Sequence, residues 1–324
     1  MKKPPPRDSE LADDEAVMTD LLVATSSEDH VEPVQQSLFH IDSIAHDWSV
    51  KDDVASMEHP IFALSKKPVT KVREYSRGGR VLRVIPSVVG APTIFDKDLM
   101  IYLISQLTQA NNTGKPVGRR IRLNVTHFLK GTNRSTGGAS YQRVIEMCRR
   151  LAGARIETNI RTTEDERTKG FGMIEEYEVV ATTKNGKGAL ELEVRISEWI
   201  WRSVMDFDIL TLNPAYFRLS QALERRVYEL ARKHCGTTQM WWVINVELLR
   251  EKVGSEQPPR KWKREIKAMS VQDSLPDYHV RLDEQVRPNQ VVFFSRDHNR
   301  LVASATKADR LEWLHRLLFG RMAA

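Results

Sequence analysis

Residues 139–154 read ASYQRVIEMCRRLAGA, and this stretch decides the fold. At about 100° per residue, Tyr141, Val144, Ile145, Cys148, Leu151 and Ala152 gather on one side of a helix. Gln142, Arg143, Glu146, Arg149 and Arg150 gather on the other, and Gly153 ends the run. A helix divided in this way packs one face and offers a largely cationic one. Working upstream, a polar turn TNRSTGG (132–138) follows a short helix, NVTHFLKGT (124–132), capped by Asn124 and stopped at Gly131. Before it come a short strand, RRIRLN (119–124), and the apolar run DLMIYLISQLTQA (98–110) behind Asp96, which has the position of an N-cap. Downstream, ARIETNI (154–160), FGMIEEYEVVA (171–181) and ALELEVRIS (189–197) are strand-like, broken by the loops TTEDERTKG and KNGKG. Helix, turn, helix, then two or three strands is the winged-helix order, and its last helix is the one that enters a major groove.

The order recurs. TLNPAYFRLSQALERRVYELARKHCG (211–236) predicts one long helix, MWWVIN (240–245) a strand and VELLREKVG (246–254) a short helix. PPRKWKREIKAM (258–269) predicts a basic helix opened by proline. DYHVRLD (277–283) and NQVVFFSRD (289–297) predict strands around a turn at Arg287-Pro288-Asn289, and KADRLEWLHRLLFG (307–320) an amphipathic helix packed on this second domain. Ahead of both, KVREYS (71–76) and RVLRVIP (80–86) flank Gly78-Gly79 as a hairpin. The expected class is α+β. A disordered or transitional acidic tail over 1–57 precedes winged-helix domains at 58–205 and 206–324.

Charge separates tail from body. Residues 1–35 hold three Lys/Arg and nine Asp/Glu, while the remaining residues hold 46 and 34, a net of +12. A basic body favours nucleic acid through counterion release. No apolar run approaches the roughly 20 residues of a membrane span, and MKKPPPRDSELADDE has no apolar core of a secretory signal. Cys148 and Cys235 are the only cysteines, which excludes a disulfide framework or a cysteine-rich zinc site. The expected compartment is reducing, the bacterial cytoplasm.

Enzyme signatures are missing. Gly114-Lys115 runs into Pro116 and Gly186-Lys187 lacks the upstream glycine, so no phosphate loop forms. Neither His-x-His nor H-E-x-x-H occurs; His40, Asp42, His46 and Asp47 fit no single face as a metal cluster. Tyr141 and Tyr228 lie on apolar helix faces, unsuited to a nicking nucleophile, and Trp199, Trp201, Trp241 and Trp242 read as packing residues. No catalytic residue, metal or cofactor is expected. The residues expected to meet DNA are Arg134, Ser140, Gln142, Arg143, Arg149 and Arg150 in the first domain. Arg260, Lys261, Lys263, Arg264 and Lys267 are their counterparts in the second. Arg bridges O6 and N7 of guanine, and both Lys and Arg pair with phosphate. Lys169, Lys184 and Lys187 sit in the expected wing loops.

The runs EHPIFALSKKP (58–68), IFDKDLMIYLISQL (94–107), NRSTGGASY (133–141), RLAGARIETNI (150–160), ISEWIW (196–201), YFRLSQALERRVYELARKHCG (216–236) and LPDYHV (275–280) resemble the replication initiator protein A family of bacterial plasmids. The resemblance covers about residues 55–300. It implies a theta-type initiator with two winged-helix domains that binds repeated double-stranded sites at a plasmid origin. It further implies melting of an adjacent A+T-rich stretch and recruitment of the host initiator ATPase and replicative helicase, with a homodimer among related forms. It also places the helices at 138–152 and 259–269 in the recognition position, without individual base contacts. Two other readings compete: a repressor of the same build on an inverted repeat, and, last, a nickase or primase.

Overall fold

The computed structural model describes residues 48–159, 169–184, 187–236 and 238–320. Its architecture is mixed α/β, and one element order occurs twice. In the first module α2 (Lys97–Asn112) leads into β4 (Arg120–Asn124), α3 (Val125–Gly131) and α4 (Gly138–Gly153). The strands β7 (Ile174–Lys184) and β8 (Lys187–Ile196) close it, in an antiparallel sheet of order β4-β8-β7. In the second module α6 (Ala222–His234) leads into β10 (Trp241–Asn245), α7 (Val246–Val253) and α8 (Pro259–Gln272). Here β11 (Tyr278–Asp283) and β12 (Gln290–Ser295) complete a sheet of order β10-β12-β11. In both, the strand before the second helix pairs with the last strand.

Alternation sets the two sheets apart. Along β4, Ile121 and Leu123 are buried and Arg120 and Arg122 are only half-buried, the signature of a sheet with one wet face. Its outer face is an ion-pair ladder in which Glu193 accepts from Arg120 at 3.2 Å and Arg122 at 3.3 Å. In contrast, β12 is buried on both sides. Val291 and Phe293 face the core shared with α6, α7 and α8, while Val292 and Phe294 face Leu301, Ala305 and Leu314 of α9 (His298–Lys307) and α10 (Leu311–Phe319). The C-terminal segment is thus two helices, one of them starting before the expected stretch.

A further sheet, β2 (Arg73–Arg77), β3 (Arg80–Ile85), β5 (Arg155–Thr158) and β6 (Lys169–Phe171) in order β2-β3-β5-β6, flanks the first module. The short helix α5 (Glu198–Met205) follows β8, with Trp201 Nε1 donating to the Val117 carbonyl at 3.3 Å.

Three expectations need correction. Residues 48–57 do not belong to a tail: β1 (Lys51–Asp53) pairs antiparallel with β9 (Ile209–Thr211), α1 (Val54–Glu58) follows, and Val50 and Met57 enter the second core. Residues 211–236 are not one helix, because a 3-10 turn at Pro214–Arg218 breaks off before α6 begins, with Asn213 capping the turn through Ala215 N. Asp96 stands ahead of α2 but makes no side-chain cap; its carboxylate accepts from Thr93 N at 2.7 Å and pairs with Arg150. The tail at 1–35 and the residues His40, Asp42, His46 and Asp47 lie outside the described residues.

Candidate nucleic-acid interface

The third helix of each module is positioned by its apolar face. In α4, Val144, Met147, Cys148 and Leu151 are buried in the first core, and Tyr141 Oη lies 2.7 Å from Thr126 Oγ1 of α3. Met147, which periodicity left off the apolar face, is buried, while Tyr141, Ile145 and Ala152 are only half-buried, so the packed face is turned toward Met147. In α8, Trp262, Ile266 and Met269 are buried, and Trp262 Nε1 donates to the Val246 carbonyl at the start of α7 at 2.9 Å. One fully buried side chain therefore fixes the angle between α7 and α8 and satisfies its own polar atom.

The outward faces differ in charge. Gln142, Arg143 and Arg149 of α4 are exposed, with Glu146 between them. Ser140, Arg134 and Arg150 are not on this face. Ser140 is buried, with its hydroxyl 2.8 Å from Ser135 Oγ at the start of the helix. Arg134 turns inward to the Asp98 carboxylate at 2.6 Å and the Phe95 carbonyl at 2.8 Å. Arg150 grips Asp96 with two hydrogen bonds of 2.8 Å, and those bonds raise its pKa. Periodicity put Arg150 on the polar side of the helix but is blind to two carboxylates, Asp96 ahead of α2 and Asp98 in its first turn, that draw in Arg150 and Arg134.

The α8 face keeps its cations. Arg260, Lys261, Arg264 and Lys267 are exposed and Lys263 is partly so. Lys263 and Lys267 both reach Glu284, beside β11, at 2.8 and 2.9 Å, and their hydrogen bonds hold its carboxyl down at about 2. Arg260, Lys261 and Arg264 have no acidic partner among the described residues. On a helical wheel, Arg260, Lys263, Arg264 and Lys267 fall within roughly 100° opposite Trp262, Ile266 and Met269. The side chains of Lys169, Lys184 and Lys187 lie outside the described residues.

A buried ionic joint was not foreseen at all. Lys97 of α2, fully buried, sits 2.7 Å from Asp52 and 3.1 Å from Glu229 of α6. Burial opposes its charge, but Asp52, Glu229 and Asp53 outweigh it and raise its pKa. Asp98 meets Arg225 at 2.5 Å as well as Arg134. Arg226 donates to Glu229 at 3.0 Å and to the carbonyls of Ser56, Met57, Glu58 and Lys252. The only trace in the sequence is an Arg-Arg-x-x-Glu run inside a helix that also carries Glu224, Arg232, Lys233 and His234, and it looks like a solvated face.

Other chemistry is sparse. Among the described residues no group of His, Cys, Asp or Glu is disposed to hold a metal ion. Tyr228 Oη is tied to Asp277 at 3.0 Å and Asn213 N at 2.8 Å, and burial raises its pKa. Both cysteines are buried and free, each thiol pushed up to about 12 by burial. Trp199 packs on Phe171, and Trp242 on His234 and Phe293, as packing residues do. No helix among the described residues is long and apolar enough to cross a membrane.

Comparison with known proteins agrees with this geometry. A solved structure of domains 2 and 3 of RctB superposes with a TM-score of 0.54 at 12% identity, covering 75% of this chain and 98% of that one. A second structure of RctB domains 2–3 gives 0.50 at 11% identity, covering 76% and 99%. These likenesses concern the fold. In sequence, the chain is 32% identical over 235 residues to the "Putative replication protein" of Wigglesworthia glossinidia brevipalpis, covering 72% of this chain and 85% of the relative. The model of the family Replication initiator protein A matches residues 51–280, from β1 through the third helix of the second module into β11. The matched span contains both third helices and the ionic joint of α2 with α6, and the chain belongs to the replication initiator protein A family.

Proposed function

We propose that this initiator is a two-headed reader of double-stranded DNA at a plasmid origin. Each module is a winged-helix unit, with α4 and α8 as its recognition helices and Gln142, Arg143, Arg149, Arg260, Lys261 and Arg264 as the contacting side chains. The observation that carries the reading is the recurrence, in a member of an initiator family, of one element order whose third helix is each time anchored by apolar residues and exposed along a polar face. Two such helices held in one unit would enter successive major grooves about one turn apart. Several copies on repeated sites would bend the duplex, and flexible A+T-rich steps would yield first.

The protein works in the bacterial cytoplasm without a catalytic group, metal or cofactor of its own. It hands the opened DNA to a host initiator ATPase and replicative helicase, and a homodimer represses its own promoter. Mobility shift and footprinting with the DNA flanking its gene test this. The expected outcome is protection of evenly spaced repeats beside an A+T-rich stretch, with affinity falling steeply as salt rises. Protection of a lone promoter palindrome would transfer the assignment to a repressor, and absence of specific protection at moderate salt would end it.

A further inference from the structure

The β2–β3 hairpin belongs to the first module by sequence but points at the second. Its turn is Gly78-Gly79, with φ of +56° and +76°, the pair of left-handed values that a tight two-residue hairpin turn demands. Nothing lies within 4 Å of where a side chain would start at either glycine, so the tip is bare. Asn159 braces it, accepting from Val81 N at 2.6 Å and donating to the Gly79 carbonyl at 2.8 Å.

Register puts Arg77 directly opposite Arg80, on the same face as Tyr75 and Leu82. Like charges at directly opposed positions destabilise a hairpin unless an anion lies between them. The acids of this sheet do not help, because Glu74 and Glu157 are on the other face, holding Arg83 at 2.9 and 3.2 Å. Arg80 has no acidic partner among the described residues. Arg77 has only Glu251 at 3.9 Å, with both side chains about two-thirds exposed (63% and 66%).

That contact locates the tip. Glu251 lies in the last turn of α7, and Gly254 caps the same helix in the left-handed region at φ +74°. A side chain added at Gly254 would meet Tyr75 Oη at 2.9 Å and Pro60 at 2.7 Å, so the hairpin face rests against the end of α7. Four residues later Pro258 caps the start of α8. The arginine pair thus stands beside the turn that delivers the cationic helix.

We infer that the β2–β3 hairpin is a third DNA-contacting element, in which Arg77 and Arg80 clamp a phosphate of the backbone that borders the groove entered by α8. This rests on the DNA-binding reading above. It adds that the first module's flanking sheet contributes to the second module's half-site. Glycine at both turn positions lets the backbone approach the phosphate closely, which a side chain there would block.

The test is hydroxyl-radical footprinting and salt titration of the full-length protein on its origin fragment, with Arg77→Ala/Arg80→Ala beside Arg264→Ala. The hairpin variant is expected to lose protection of sugars flanking the α8 half-site. Its slope of log affinity against log salt should be shallower by about 2, while base preference stays unchanged. An unaltered footprint and slope, with Arg264→Ala still impaired, would overturn the hairpin assignment and leave the DNA reading standing. If the wild-type protein gives no footprint, both fall together.

Discussion

Behind the first sheet Arg120, Arg122, Glu191 and Glu193 face solvent as a neutralised ladder, while the same side of the second sheet carries Val292 and Phe294 beneath α9 and α10. The third helices diverge in parallel. Arg150 of the first and Arg134 of the turn before it are drawn into carboxylates of α2 or its preceding turn, whereas α8 keeps Arg260, Lys261 and Arg264 free of acidic partners among the described residues. One backbone order therefore serves two purposes. The second module is built on apolar burial and presents net positive charge. The first spends its charges internally, on its sheet and on the joint with its neighbour, and exposes a mixed polar face.

The joint is where this contrast is easiest to break. If the two modules were independent, the contacts of Lys97 on α2 with Asp52 and with Glu229 on α6 would be incidental. Instead, Lys97→Ala leaves the buried Asp52 carboxylate without its cation and removes the bond from α2 to Glu229, and removing one member of a buried pair costs about 3–5 kcal/mol. Urea denaturation followed by tryptophan fluorescence should show that loss, with the single transition separating into two as the modules uncouple. An unshifted midpoint would mean that the modules do not depend on the joint.

The sheets sharpen the contrast at smaller amplitude. Leu314→Ala, in the apolar cover of the second sheet, should cost about 2–4 kcal/mol, the range for a buried leucine. Glu193→Ala, in the ladder of the first, should cost about 1 kcal/mol or less, because its partly exposed pairs are screened. Equal costs in thermal or chemical melts would remove the distinction between a packed and a solvated face.

Much of this order was legible from local pattern. RRIRLN and NQVVFFSRD were readable as strands and Gly78-Gly79 as the hairpin turn, and the structure adds that the first strand is wet on one face and the second covered on both. Asn124 and Asn245 cap α3 and α7 where the sequence starts those helices, with Asn124 accepting from His127 N at 3.2 Å. What failed to show was long-range. Arg134 and Arg150 sit on the correct side of their turn and helix, yet Asp98 and Asp96, more than thirty residues earlier, decide where they point. Likewise β1 belongs to the fold because it pairs with β9 across the chain, a partnership that no local signal in a polar KDD triplet could announce. The candidate faces were thus readable as two helices, while distant carboxylates decide where Arg134 and Arg150 point.

The most direct test of the central claim is a side-by-side footprint of Arg143→Ala and Arg264→Ala on the origin fragment, with both variants shown to be folded by circular dichroism. Each substitution should weaken specific binding by about 1–3 kcal/mol and relax preference at one base position, the two positions lying in adjacent major grooves about one helical turn apart. If both variants protect the same sites with wild-type affinity, neither α4 nor α8 reads DNA and the two-headed account is wrong.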